Sequence, residues 1–197
     1  MDYTILKVIG EGAHGKVCLA KKKSNGKLYA IKSINKSSLK NKKQIERTIS
    51  ERRIPEMIKH PFIVELKYAH NTPDKLYYVL EYCPGGELFF YLARLGKFNE
   101  EQTRFYIACI IMALEHLHEL DIIYRDLKPE NLLVCQDGYL NITDFGLSRD
   151  DMQGKNRARS FCGTAEYLSP EVFKSSGYGK PSDWWQLGTL IYEMLVG

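Results

Sequence analysis

Tyr124-Arg125-Asp126-Leu127-Lys128-Pro129-Glu130-Asn131, followed after a short apolar stretch by Asp144-Phe145-Gly146, constrains the fold of these 197 residues more tightly than any other segment. Asp126 supplies a carboxylate that can accept a proton, and Lys128 places a cation two residues further on. Asn131 and Asp144 add two oxygen ligands suited to a hard divalent ion. Together these groups are the equipment of phosphoryl transfer from a magnesium nucleotide. Taken singly, each carboxylate could be an ordinary surface cap; the joint pattern argues otherwise.

Toward the amino terminus, two apolar segments at 3–9 and 15–20 flank Gly10-Glu11-Gly12-Ala13-His14-Gly15. The turn Ser24-Asn25-Gly26-Lys27 then leads into Leu28-Tyr29-Ala30-Ile31-Lys32, so three consecutive strands form a meander. Glycines let a backbone approach phosphate oxygens and offer N–H groups to them. Here the glycine turn joins two strands and does not lead a strand into a helix, which argues against a dinucleotide-binding unit. Val17 can cover an adenine, and Lys32 ends its strand behind the turn, where an ammonium could meet phosphates. Such a cation needs an orienting carboxylate, and Glu46, Glu51 and Glu56 are candidates on one predicted helix.

That helix is expected over 42–58, with Ile45, Ile49, Met57 and Ile58 at helical spacing and an interruption at Pro55. Strands at 62–69 and 76–82 come next, and Pro84-Gly85-Gly86 ends the sheet-like region. The chain divides at this point into 1–81, a hinge at 82–86, and 87–197. Beyond it, helices are expected over 87–94 and 100–119, the second capped by Asn99 and turning Phe105, Ala108, Cys109, Met112, Ala113, Leu114 and Leu117 to a core. Short strands near 132–135 and 139–142 flank the turn Gln136-Asp137-Gly138; a polar loop over 147–166 and a hydrophobic helix from Asp183 to Met194 complete the chain.

Composition excludes several classes. With 44% hydrophobic residues the chain can bury a core. The net charge of +4 comes mostly from lysines between 16 and 43, and without aromatic interleaving that run reads as a solvated surface, not a nucleic-acid site. Five cysteines without paired short spacings support neither zinc nor a disulfide framework and suit a reducing compartment. No stretch reaches about 18 apolar residues, and no signal peptide is apparent, so an intracellular chain, cytoplasmic or nuclear, without an integral membrane segment is expected.

From Tyr3 to Gly197 the chain resembles the eukaryotic serine/threonine protein kinases, in particular the AGC group of protein kinase A, B and C and the ribosomal S6 kinases. Group-like signatures are Tyr124-Arg125-Asp126, Phe161-Cys162-Gly163-Thr164-Ala165-Glu166-Tyr167 and Asp183-Trp184-Trp185-Gln186-Leu187-Gly188. The resemblance implies an α+β, bilobal fold: an antiparallel five-stranded N-lobe with a control helix, and a mostly helical C-lobe lacking its last helices.

By the same resemblance Gly10, Gly12 and Gly15 cover the phosphates of ATP, Lys32 holds its α and β phosphates, and Glu51 pairs with Lys32. The adenine is framed by Ile9, Val17, Ala30 and Leu133, by the gatekeeper Leu80, by the hinge residues Glu81 and Cys83, and by Glu87. Asp126 accepts the proton of the incoming hydroxyl, Lys128 steadies the transferred group, and Asn131 and Asp144 hold Mg²⁺. Thr164 bridges Asp126 and Lys128, a mark of serine/threonine specificity.

Glu87, Glu130 and Glu193 match positions that select arginine upstream of the phosphorylated residue, implying basic Ser/Thr protein or peptide substrates. Individually each could face solvent. Ser160, between Arg159 and Phe161, stands at the activation-loop phosphorylation position, where an upstream kinase, or this one in trans, would add a phosphate facing Arg125, Arg149 and Arg47.

Three departures stand out. Pro55, four residues after Glu51, replaces an apolar residue expected to stack between Leu66 and Phe145 above Tyr124, and its ring costs a helix about 3 kcal/mol. His14 replaces an aromatic residue at the glycine-loop tip, and Ser169-Pro170-Glu171 replaces the commoner Ala-Pro-Glu. The family fold also continues past the last helix here with several more helices, which include an arginine partner for Glu171. A kinase-like module that binds nucleotide or protein without useful catalysis is therefore the alternative reading.

Overall fold

The computed structural model describes residues 2–12, 15–150, 158, 160–174 and 177–197, which form two compact units. One comprises Met1–Lys59 with Val64–Tyr82, the other His60–Ile63 with Cys83–Gly197. His14, Arg159 and all of 151–157 fall outside the described residues.

The first unit is a five-stranded antiparallel sheet with one helix, as the resemblance implies. Strands β1 (Tyr3–Gly12), β2 (Gly15–Lys22), β3 (Leu28–Asn35), β4 (Leu66–Asn71) and β5 (Lys75–Glu81) lie in the order β1-β2-β3-β5-β4. The β2–β3 turn closes because Gly26 takes a φ of 71° and the Asn25 side chain accepts from the Lys27 N–H at 3.0 Å. Pleating divides the side chains: Ile34, Leu66 and Tyr78 are buried on one face, and Ala20, Tyr29, Ile31 and Val79 on the other. The Tyr78 hydroxyl donates to the Thr48 carbonyl at 3.0 Å, tying the sheet to helix α1 (Lys42–Met57). Burial, with the Glu51 charge second, pushes the Tyr78 phenol up to about 12.

Helix α1 starts on a reciprocal capping box, Asn41 accepting from the Gln44 N–H and Gln44 accepting from the Asn41 N–H. It does not stop at Pro55. The buried proline sits in the last turn and the helix runs two residues beyond it, so the missing N–H removes only one bond near an end. The expected apolar face also needs correction: Thr48, Ile54, Pro55 and Ile58 are buried, while Ile45, Ile49 and Met57 are exposed.

In the second unit a small sheet joins β6 (Gly86–Glu87), β7 (Leu132–Val134) and β8 (Leu140–Ile142) in that order. Ile63, read from sequence as part of a strand, instead bridges Ile142 in parallel, and β4 begins only at Leu66. Helices α2 (Leu88–Leu95), α3 (Glu100–Glu119), α4 (Pro170–Phe173) and α5 (Pro181–Val196) supply the rest, with α5 packed along α3. Asn99 and Gln102 cap α3 with a second reciprocal box. The buried stripe of α3 is Ile107, Ile110, Ala113, Leu114 and Leu117, with Cys109 beside it; Phe105, Ala108 and Met112 are exposed, contrary to expectation. Each fully buried leucine or isoleucine contributes about 1.5–3 kcal/mol, so this stripe fixes where the succeeding loop, 120–131, begins.

Candidate active site

In the first unit the register places Val17 opposite Lys32 and Ala30 opposite Leu80. Because Ala30 and Lys32 are two apart on one strand, all four side chains share one face of the sheet. Gly10 pairs with Val17 at the same end, and Gly12 closes onto Gly15. A side chain at Gly15 is sterically forbidden, since its Cβ would lie 1.7 Å from the Ser33 carbonyl oxygen. Ile9 is exposed beside the glycines, and Glu81 ends β5 with its N–H given to the Glu65 carbonyl at 3.0 Å. The Lys32 ammonium donates to a Glu51 carboxylate oxygen, while Glu56 is held by Arg52 at 2.9 Å and Glu46 lies 3.8 Å from Lys42. The proline in the last turn of α1 thus leaves this ion pair formed.

The second unit brings Asp126, Lys128, Asn131 and Thr164 into one hydrogen-bonded cluster. Asp126, 8% exposed, accepts from Thr164 Oγ1 at 3.2 Å on Oδ1 and from Asn131 Nδ2 at 2.9 Å on Oδ2. Lys128 Nζ donates to Thr164 Oγ1 at 3.1 Å and lies 3.5 Å from Asp126 Oδ2. Asn131 Nδ2 also reaches the Asp126 carbonyl at 2.8 Å, so its amide oxygen is the end turned away from Asp126. The Thr143 N–H bonds the Asn131 carbonyl at 3.0 Å, and Asp144 is the residue that follows Thr143. Asp144 is exposed, adopts a φ of 58°, and accepts from the Gly146 N–H at 3.1 Å. Non-glycine residues hold that conformation at a cost of about 1–3 kcal/mol, a form of strain that clusters at functional sites.

A protein kinase domain model matches residues 3–197. The chain belongs to the protein kinase domain family. It is 48% identical over 197 residues to the RAC family serine/threonine-protein kinase homolog of Dictyostelium discoideum, covering all of this chain and 44% of the relative. It is 51% identical to Protein kinase 2 of the same organism, covering 41% of it, and 48% identical to human serine/threonine-protein kinase Sgk2, covering 54%. These similarities place it in the AGC group. The chain spans about half the length of the curated relatives it matches.

Within this kinase domain Glu87 succeeds Gly86 at the end of β6, opposite Leu133 of β7. Burial raises the Glu87 carboxyl, and the Glu130 charge raises it further, so two carboxylates face each other closely enough to repel. Glu193 accepts a hydrogen bond from the Tyr167 hydroxyl, whose own ionisation is pushed far up by burial and by that bond. Cys83 is buried, and its carbonyl accepts from the Gly86 N–H at 3.3 Å. Ser160 is exposed; its hydroxyl takes a bond from Arg125 Nη1 at 2.9 Å, and its carbonyl one from the Tyr178 hydroxyl at 2.8 Å.

Several positioning residues of the kinase domain had no role assigned from sequence, although Asp183 and Gln186 stand in one of the quoted signatures. Asp183, with no exposed surface, accepts from the Tyr124 N–H at 2.9 Å, from the Arg125 N–H at 2.8 Å and meets His118 Nε2 at 2.7 Å. Gln186, one turn further along α5, accepts from the Leu127 N–H at 3.0 Å and donates to the Arg125 carbonyl at 3.0 Å. Four backbone groups next to Asp126 are thus fixed by two side chains, which lets Arg125 hold a φ of 73°. The available signal was a polar pair three residues apart beside the two tryptophans of a largely apolar helix. Gly163, at φ 110°, completes the loop contact: a Cβ there would stand 2.8 Å from Leu168 Cδ2 and 3.0 Å from the Arg125 carbonyl oxygen.

Proposed function

We propose that this chain transfers the γ-phosphoryl group of ATP to serine or threonine hydroxyls of basic proteins. The observation that carries the reading is the cluster of Asp126, Thr164, Lys128 and Asn131 on one set of hydrogen bonds. Asp126 has a lone pair of Oδ1 left to take the hydroxyl proton, while Thr164 and Asn131 hold its carboxylate still. Lys128 stands ready to compensate charge on the group in transit. The outward amide oxygen of Asn131 and the exposed carboxylate of Asp144 are both hard oxygen donors, a set that fits Mg²⁺, which keeps waters and phosphate oxygens as its remaining ligands. Bound magnesium would neutralise phosphate charge and favour departure of ADP.

In the first unit, Lys32, oriented by Glu51, would bind the α and β phosphates under Gly10, Gly12 and Gly15, with Ile9, Val17, Ala30, Leu80 and Glu81 against the adenine. In the second unit, Cys83, Glu87 and Leu133 are the residues that would contact nucleotide. Glu87 and Glu130, already repelling one another, would be relieved by a guanidinium, and Glu193 gives a third carboxylate, which supports arginine-containing substrates. A phosphate on Ser160 would begin 2.9 Å from the Arg125 guanidinium, which supports activation by an upstream kinase. The Arg159 and His14 readings lie outside the described residues. Among the described residues no helix is long and apolar enough to cross a membrane, and an intracellular location suits five cysteines held as thiols.

Radiolabelled transfer from ATP to an arginine-rich serine peptide by residues 1–197 tests the reading. Transfer abolished by Asp126→Asn is expected. Mg-ATP binding with no transfer by either protein would favour the non-catalytic module.

A further inference from the structure

Cys83 and Cys135, separated by 52 positions in sequence, bring their sulfur atoms to 3.2 Å of each other within the second unit. Their backbones are held on both sides. The Gly85 N–H donates to the Val134 carbonyl at 3.0 Å, and Gly86 pairs with Val134 between β6 and β7. Cys135 opens the next hairpin, its N–H bonded to the Tyr139 carbonyl at 2.8 Å and its carbonyl to the Gly138 N–H at 3.1 Å. The thiols are therefore a fixed pair, not a chance encounter of mobile side chains. A disulfide places sulfurs about 2.05 Å apart, so bond formation needs a closure of about 1 Å, supplied by side-chain rotation together with a small shift of the Cys83 backbone.

We propose that Cys83 and Cys135 form a redox modification site, oxidised to a reversible intramolecular disulfide by a peroxide and restored by a dithiol reductant. Cys135 is half-buried and Cys83 is 5% exposed, so Cys135 meets the oxidant first. Its thiolate attacks one peroxide oxygen, giving a sulfenic acid as the O–O bond breaks and one water leaves. The Cys83 thiolate then attacks that sulfur and releases a second water. Two thiols and one hydrogen peroxide thus give one disulfide and two waters. A dithiol reverses the reaction by exchange, ending as its own disulfide.

Cys109 is the rival resolving thiol, since it lies within electrostatic reach of Cys135. It is disfavoured: burial pushes its thiol up, leaving little thiolate, and its sulfur is engaged with the Phe105 carbonyl at 3.5 Å. Disulfides in reducing compartments are mostly transient and regulatory, which suits a close thiol pair placed here. The effect on nucleotide rests on the reading of Cys83 as an adenine contact; the cross-link does not. Drawing the Cys83 sulfur toward Cys135 displaces its backbone, and loss of one hydrogen bond there weakens nucleotide binding about three- to tenfold.

The test treats residues 1–197 with hydrogen peroxide, alkylates remaining thiols, and maps peptides without reduction. A linked Cys83–Cys135 peptide that dithiothreitol reverses is expected, lost in both Cys83→Ala and Cys135→Ala and kept in Cys109→Ala. Sulfinic acid on Cys135 without a cross-link, or a Cys109–Cys135 link, overturns the proposal. ATP affinity is measured in parallel: reduced Cys135→Ala should bind as the reduced parent does and resist peroxide. A cross-linked protein with unchanged affinity refutes the coupling to nucleotide, whereas a reduced parent that binds no nucleotide refutes the kinase reading and leaves the disulfide standing.

Discussion

Replacing Asp183 by Ala should unfasten the loop that carries Asp126 without removing any of the groups proposed to react. The carboxylate is wholly buried and takes the Tyr124 and Arg125 N–H groups at 2.9 and 2.8 Å. Its removal orphans two buried backbone donors, each at a cost of about 1–3 kcal/mol, so the loss should be about 2–6 kcal/mol, toward the lower end if water enters the space. A small domain has only about 5–15 kcal/mol of stability, so the variant gives up a large part of it. Asp183→Asn keeps one acceptor oxygen and should lose roughly half as much. Urea unfolding gives the total, and amide exchange at Tyr124 and Arg125 gives its location, with protection at those two amides falling by at least about tenfold for each 1.4 kcal/mol lost locally. An Asp183→Ala midpoint equal to the parent, with both amides still protected, would refute the claim that this side chain holds the loop.

Gly163→Ala should cost about 2–4 kcal/mol in urea unfolding, because a positive φ is combined with a Cβ 2.8 Å from Leu168; a midpoint unchanged from the parent would contradict the geometry. Glu87 has a carboxyl raised by burial and by Glu130, so on acidification it takes up its proton before an ordinary glutamate does and loses the charge proposed to hold arginine. KM for an arginine-containing peptide should therefore rise as pH falls from neutrality, beginning above the ordinary glutamate range, with Glu87→Gln flattening the rise; a peptide lacking arginine that shows the same rise would count against this role. His60 has its imidazole lowered by burial and then by stacked His116, and its Nδ1 accepts from the Phe62 N–H at 3.2 Å. The unfolded chain binds the proton more readily, so this contribution is present above the ordinary histidine range and is lost as pH falls through it toward the lowered value. Urea midpoints of His60→Gln should vary less with pH over that interval than the parent's, and parallel curves would exclude His60 as the cause.

The strands were legible because alternating residues and Asn-Gly turns are local signals, and five of them form the antiparallel sheet they suggested. Helix faces were less so. Periodicity shows that Ile45 and Ile49 share a side of α1, but not that anything covers it, and both are exposed. In α3 apolar residues occur all round: Cys109, Ala113, Leu114 and Leu117 are buried as expected, but Phe105 makes its contacts with Tyr106 and Tyr139 while Ile107 and Ile110 take the core. Strand β6, two residues long, exists only through its pairing with β7 and carries no pattern of its own. Asp126, Lys128 and Asn131 lie within one short loop, so their association could be read directly, as could the threonine they meet through the resemblance. Asp183, Gln186 and His118 could not be assigned their part, because each acts through bonds spanning 58 to 65 positions.

The Asp183 contacts also impose a timetable on synthesis. Arg125 leaves the ribosome 58 residues before the carboxylate that fixes it, a delay of about 3–12 s at ordinary elongation rates. During that time the nascent loop has neither Asp183 nor Gln186 to receive its N–H groups, and the apolar faces of α3 have no α5 against them. The five-stranded sheet is translated first, yet the loop proposed to do chemistry reaches the shape described here only when α5 arrives.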